Sequence, residues 1–227
     1  ALLSIAALLL SATSAQAQTY YWDEDQATAG FGTAAGTWEN PTVDKWSLTA
    51  AGTAAAVPSI TTTDGDLLYF GTDTVALGTG TISITGTVAA KELLFGKASG
   101  PITLGAVDTD AIISLGAAPT IYAASAGTST LSTHTINANL TSSSTLTIGR
   151  QSTQNESYII NGDISGTFFL NMKVNNNTAY IALDGDNSGF NGNIAQVTGS
   201  LKFDQNLGSG TNLTLAGSGG QINHVWY

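Results

Sequence analysis

Apolar and polar residues alternate along this chain in short, recurrent stretches. Ile82 and Ile84 lie among Thr81, Ser83 and Thr85, while Asn137 and Asn139 separate Ile136, Ala138 and Leu140. Leu146 and Ile148 sit between threonines, and Asn171 and Lys173 separate Leu170, Met172 and Val174. Lys202 divides Leu201 from Phe203, and Thr214 divides Leu213 from Leu215. A period of two predicts half-buried strands, whose side chains point to opposite faces in turn. Turn formers bound each stretch: Asp163-Ile164-Ser165-Gly166, Asn175-Asn176-Asn177, Asp184-Gly185-Asp186-Asn187 and Gly208-Ser209-Gly210. Strand starts recur about every eleven residues in the second half. That rhythm fits a hairpin sandwich or barrel, or a β-solenoid of stacked coils. Irregular turn lengths, outward Thr and Asn able to form ladders, and sparse charge favour the solenoid. Tyr20 to Leu48 differs, with Tyr20, Tyr21, Trp22, Phe31, Trp38 and Trp46 beside the acidic run Asp23-Glu24-Asp25. A solenoid must seal its first coil, and an aromatic-rich start suits that task.

Several of these segments resemble a known family. Trp22-Asp23, Gly36-Thr37-Trp38, Lys45-Trp46 and Asp66-Leu67-Leu68-Tyr69-Phe70-Gly71 look like the opening of proteins with autotransporter-associated β-strand repeats. Lys45 stands where an asparagine is usual in that opening. The run from Ile181 to Gly192, containing Gly185, Asn187, Phe190 and Gly192, resembles the repeat unit. Gly199-Ser200-Leu201 and Leu207-Gly208-Ser209-Gly210 look like its continuation. The resemblance implies an all-β fold, a right-handed parallel β-helix (solenoid) with an N-terminal aromatic-rich cap. It implies a β-helical stalk or adhesin-like passenger at a bacterial envelope, and it transfers no functional residues.

The first residues point to export. Leu2 to Leu10 is apolar except for Ser4, and Ala15-Gln16-Ala17 precedes Gln18. An apolar core followed by a small-x-small triplet predicts a signal peptide cut between Ala17 and Gln18. The run is shorter than the ~18 apolar residues of a membrane span. Neither Met nor a basic segment precedes it, and no barrel or sorting segment closes the chain at Tyr227, so the chain is expected to be cut at both ends. The expected organisation is a signal peptide over 1–17, a cap over 18–60 and solenoid repeats over 61–227 that continue further. The expected location is secreted, or the outer-membrane surface of a Gram-negative bacterium.

Composition then narrows the chemistry. Sixteen acidic and six basic residues give a net charge of −10, which argues against nucleic acid. No cysteine is present, so thiolate metal sites and cysteine nucleophiles are excluded. The two histidines, His134 and His224, stand apart, and no Gly-x-Ser-x-Gly elbow occurs. His134, between Thr133 and Thr135, reads as part of a surface ladder. Asp64-Gly65-Asp66, Asp108/Asp110 and Asp184-Gly185-Asp186 are close acidic pairs. Asp184 and Asp186 are candidate calcium ligands. Ala195 occupies the position of the bidentate acid in an EF-hand loop, and Asp-Gly-Asp is also ordinary turn chemistry. Trp38 and Trp46 are candidate sugar-stacking residues, with burial in the cap as the simpler reading. The expectation is a non-catalytic exported surface protein that needs no cofactor and has extracellular glycans or other cell-surface components as partners. The alternatives are a polysaccharide lyase or hydrolase on a β-helix, or a glycan- or calcium-binding module.

Overall fold

A computed structural model describes residues 16–26, 28–53, 55–96, 98–123, 132–149, 156–173, 179–198, 200–203, 207, 209 and 211–215. These residues form strands and connecting turns, with no helix among them. The strands in chain order are β1 (Thr19–Trp22), β2 (Thr37–Trp38), β3 (Trp46–Ser47), β4 (Leu67–Phe70), β5 (Gly80–Ile84) and β6 (Thr87–Phe95). They continue as β7 (Ile102–Ala106), β8 (Ile112–Ala123), β9 (Thr133–Ile136), β10 (Asn139–Ser142), β11 (Leu146–Gly149) and β12 (Ser157–Ile160). The series ends with β13 (Ile164–Ser165), β14 (Phe169–Lys173), β15 (Tyr180–Leu183), β16 (Asn193–Thr198), β17 (Ser200–Phe203) and β18 (Asn212–Leu215).

The architecture is a parallel β-solenoid. One face runs β17-β15-β12-β9-β7-β5-β2, and a second runs β18-β16-β14-β11-β8-β6-β4-β1-β3. A narrower third face arises because β6 and β8 are long enough to turn a corner. Their first halves pair in register, Val88 with Ile113, and β10 and β13 extend that stack. The register then slips between Ala90 and Glu92, and the second halves carry the other sheet. In β8 the bend falls around Ala118, whose φ of 49° is supported by its N–H donating to Ser144 Oγ at 2.7 Å.

Parallel pairing within each face puts equivalent residues of successive coils on top of one another. Ile82, Leu104, Ile136, Ile160 and Leu183 form one inward column, each fully or almost fully buried. Leu68, Leu93, Ile121, Ile148 and Met172 form another on the facing sheet. Outward, Thr81, Thr103 and Thr135 form a threonine ladder. The eleven-residue rhythm is half a coil: β11, β12, β14 and β15 begin at 146, 157, 169 and 180, alternating between the two large sheets.

One turn expectation is refined and another lies outside the described residues. Ile164–Ser165 forms the short strand β13 inside the expected turn 163–166. Asn175-Asn176-Asn177 lies outside the described residues.

The corner after the first face shows why glycine recurs there. Asn137-Ala138-Asn139, Asn161-Gly162-Asp163 and Asp184-Gly185-Asp186 occupy it in successive coils, by continuation of the Ile136/Ile160/Leu183 register. A Cβ on Gly162 would lie 2.0 Å from the Ala138 carbonyl oxygen, and one on Gly185 would lie 2.4 Å from the Gly162 oxygen. At these two positions the backbones touch, so only glycine fits at 162 and 185, whereas Ala138 is accommodated one coil earlier. Gly162→Ala is expected to lower stability by at least about 2 kcal/mol in urea unfolding. Gly65→Ala, whose nearest new contact would be 3.8 Å away, is expected to cost less than about 1 kcal/mol. Equal losses would contradict this packing.

Candidate functional site

Three regions hold the polar chemistry of the described residues: the cap, a buried cluster in the core, and a polar groove along the first corner.

In the cap, β1 closes one sheet. It pairs in parallel with β4 on one side and antiparallel with the two-residue β3 on the other, Trp22 opposite Trp46. A bridge from Trp46 to Val57 adds a further antiparallel layer. Trp22, Trp38 and Trp46 are completely buried. Trp22 and Trp38 meet Trp46 edge to face, at centroid distances of 4.9 and 5.8 Å. Trp22 Nε1 donates to the Ala35 carbonyl, and Trp38 Nε1 donates to Thr62 Oγ1. Trp38 and Trp46 therefore offer no face to a sugar ring. Both indoles are consumed by sealing the first coil, which is the simpler of the two readings, burial in the cap, rather than sugar stacking.

Asp23 is buried in the same cap. Its Oδ1 accepts the N–H groups of Gln26 and Asp25, at 3.0 and 3.3 Å, while Oδ2 has no partner. Burial raises its pKa, the two backbone bonds offset part of that, and the neighbouring Asp25 and Glu24 raise it further. Beside it, Lys45 Nζ pairs with Glu24 Oε1 at 2.9 Å. Lys45, the departure from the family-like pattern, thus answers one charge of the acidic run.

From the cap an aromatic column runs down the core. Trp46 neighbours Phe70, Phe70 stacks on Phe95 at 5.5 Å, and Phe95 stacks on the His134 ring at 4.2 Å. Tyr158 follows, 6.1 Å from His134 and paired with it in the β9–β12 ladder. His134 is thus an inward core residue, not a member of a surface ladder. The reason is parity: it lies two residues before Ile136 on the face that carries Ile136, Ala138 and Leu140. Its Nδ1 accepts the Ile102 N–H at 3.4 Å, which leaves Nε2 to carry the proton. Nε2 faces Glu156 Oε2 at 3.5 Å, and both side chains are almost wholly buried. The Tyr158 hydroxyl has no well-aligned partner. Burial and then the Glu156 carboxylate push its pKa well above the usual range, and the Ala123 backbone offsets only part. Parity marks Glu156 and Tyr158 as inward too, because they precede Ile160 by four and two residues. A base, an acid and a phenol are assembled here without access to solvent, so the cluster packs the core.

The corner column faces outward. Asn161 Nδ2 donates to Asn137 Oδ1, and Asn139 Nδ2 donates to the Thr109 carbonyl, each at 2.9 Å. Asp163 N–H donates to Asn139 Oδ1 at 2.9 Å, and Asp186 N–H donates to Asp163 Oδ1 at 2.8 Å. Beside this ladder lies an open groove of about 390 Å³, lined by Asp108, Thr109, Asn137, Asn139, Asn161 and Asp163 among others. Asp184 and Asp186 belong to the same corner, one coil further on. Asp186 Oδ1 accepts the Ser188 N–H at 3.1 Å, and hydrogen bonds from the Ser188 side chain and backbone hold its carboxyl below the usual range. These are the bonds of an Asx turn. No grouping of three His, Cys, Asp or Glu residues able to hold a metal occurs among the described residues.

The repeat-like motif is also structural. Asn187, buried, accepts the Ile164 N–H at 2.9 Å and donates to the Gly185 carbonyl at 2.9 Å. Phe190 packs edge to face on Phe168 at 5.0 Å, and a Cβ on Gly192 would strike the Phe168 carbonyl oxygen. No family model, curated protein or solved structure matches the chain. No helix of the described residues is long and apolar enough to cross a membrane.

The raised pKa of Asp23 carries a sign. Above its ordinary value of 3.8 the folded chain retains a proton that the unfolded chain has released. Stability from this group is therefore present at low pH and falls as pH rises through the folded value. Asp23→Asn, which keeps the Oδ1 acceptor, is expected to raise the urea midpoint at pH 7 and leave it nearly unchanged at pH 3. A lower midpoint at pH 7 would contradict the assignment.

Proposed function

We propose that this chain is the capped beginning of a non-catalytic, exported surface protein of a Gram-negative bacterium, a β-helical stalk or adhesin-like passenger with autotransporter-associated repeats. The observation that carries the reading is the work done by the repeat-like residues. Asn187 joins its coil to the previous one through a buried side-chain bond, and Phe190 and Gly192 fit against Phe168 of that coil. A motif that joins neighbouring coils is what a long repetitive stalk requires. The sealed first coil and the outward threonine ladder support the same reading, as does the apolar segment before Gln18.

The corner groove gives the stalk a contact surface. Its amides and carboxylates suit hydrogen bonding to polar, uncharged ligands, and extracellular glycans are the class that fits. The whole reading is tested by expressing the full reading frame in a Gram-negative host and treating intact cells with protease. The expected outcome is a chain beginning at Gln18 that external protease removes. A chain held in the cytoplasm with residues 1–17 intact would contradict it.

A further inference from the structure

Gln18 leads into the first described strand. Its backbone N–H donates to Asp66 Oδ1 at 2.9 Å, and its carbonyl accepts the Leu67 N–H at 2.8 Å. The next residue, Thr19, begins β1 opposite Leu67. Asp66 is only 3% exposed. Its second oxygen, Oδ2, accepts the N–H and Oγ1–H of Thr63, at 2.7 and 2.9 Å. One face of a buried carboxylate is thus satisfied locally, and the other is aimed at the nitrogen of residue 18. The residues around that nitrogen lie open to solvent: Gln16, Ala17 and Gln18 are all exposed, and Ala17 lies over the glycine of the Asp64-Gly65-Asp66 turn.

From this geometry we infer that Asp66 is a docking site for the amino terminus created by processing, so that cleavage between Ala17 and Gln18 locks the cap. The inference rests on the signal-peptide reading. Hydrolysis breaks the bond from the Ala17 carbonyl carbon to the Gln18 nitrogen. The hydroxyl of water goes to Ala17, its remaining hydrogen goes to the nitrogen, and a proton from solvent completes an ammonium. A bond from a neutral N–H to the Asp66 carboxylate then becomes a hydrogen bond between opposite charges, which adds their direct attraction to a bond that is already charge-assisted. The nitrogen gains two further donors at the same point. Asp66 also holds the chain on the other side of the ladder: its carbonyl accepts the N–H groups of Lys91 and Glu92. Tightening the Gln18 contact therefore braces the first parallel pair, β1 on β4, and the start of the β4–β6 ladder that follows it.

The test uses residues 18–227, which contain all the described strands, freshly released from a fusion so that Gln18 carries a free amine. It is compared with the same chain acetylated at Gln18, which keeps one N–H but no charge. The free-amine chain is expected to melt about 2–4 °C higher. In Asp66→Asn the difference is expected to disappear. If Asp66→Asn does not fold, the acetylation comparison in the parent chain decides alone. Equal melting of the two forms, or a higher value for the acetylated one, would overturn the inference while leaving export intact. A mature amino terminus found elsewhere than Gln18 in exported protein would overturn the processing reading and the inference with it.

Discussion

Successive coils are joined by backbone hydrogen bonds between parallel strands, and that ladder constrains everything else in the molecule. Strands in such a ladder lie about 4.8 Å apart, so each side chain has the equivalent side chain of the next coil as its nearest neighbour. Inward positions must then repeat as compatible shapes, as Ile82, Leu104, Ile136, Ile160 and Leu183 do. Outward positions must tolerate a like neighbour, which threonine and asparagine do through their own hydrogen bonds and a column of like charges would not. The low charge of the chain follows from this. So does glycine at the corner, where Gly162 lies against the Ala138 carbonyl with no room for a methyl group.

The same ladder leaves the first coil with unpaired backbone and an open core. The chain meets both needs with one short segment. Strand β3 turns antiparallel and covers the edge of β1, and the Trp46 indole on that strand receives Trp22 and Trp38 edge to face. The cost is visible next door, where Asp23 is buried with one oxygen unpartnered. Below the cap the aromatic column passes through Phe70 and Phe95 to His134 and Tyr158 and links the cap to the middle coils.

Much of this is legible in the sequence, because period-two alternation survives corners. Ile136, Ala138 and Leu140 read as one strand, yet a corner separates β9 from β10 between them, and all three still point inward. Alternation therefore reports the inside of the coil faithfully and the number of faces poorly. At His134 the polar side chain suggests the surface, while its parity with Ile136 places it in the core, and parity wins. The tryptophans are legible as a cap, since their clustering near Gly36, Asn40 and Pro41 suits a folded-back loop. The polar column at the first corner is not legible. Asn137, Asn161 and Asp184 are 24 and 23 residues apart, and only the coil length brings them together.

The central claim is that these three residues form one column, each stacked on the next. The chain contains no cysteine, so introduced pairs report on it directly. Disulfides form when Cα atoms lie about 4.4–6.8 Å apart, a distance that adjacent coils satisfy and alternate coils, about 10 Å apart, do not. Oxidation of Asn137→Cys/Asn161→Cys and of Asn161→Cys/Asp184→Cys is expected to cross-link within the chain, and Asn137→Cys/Asp184→Cys is expected to remain reduced. Cross-linking of the third pair with failure of the first two would show that the chain is not wound in these coils.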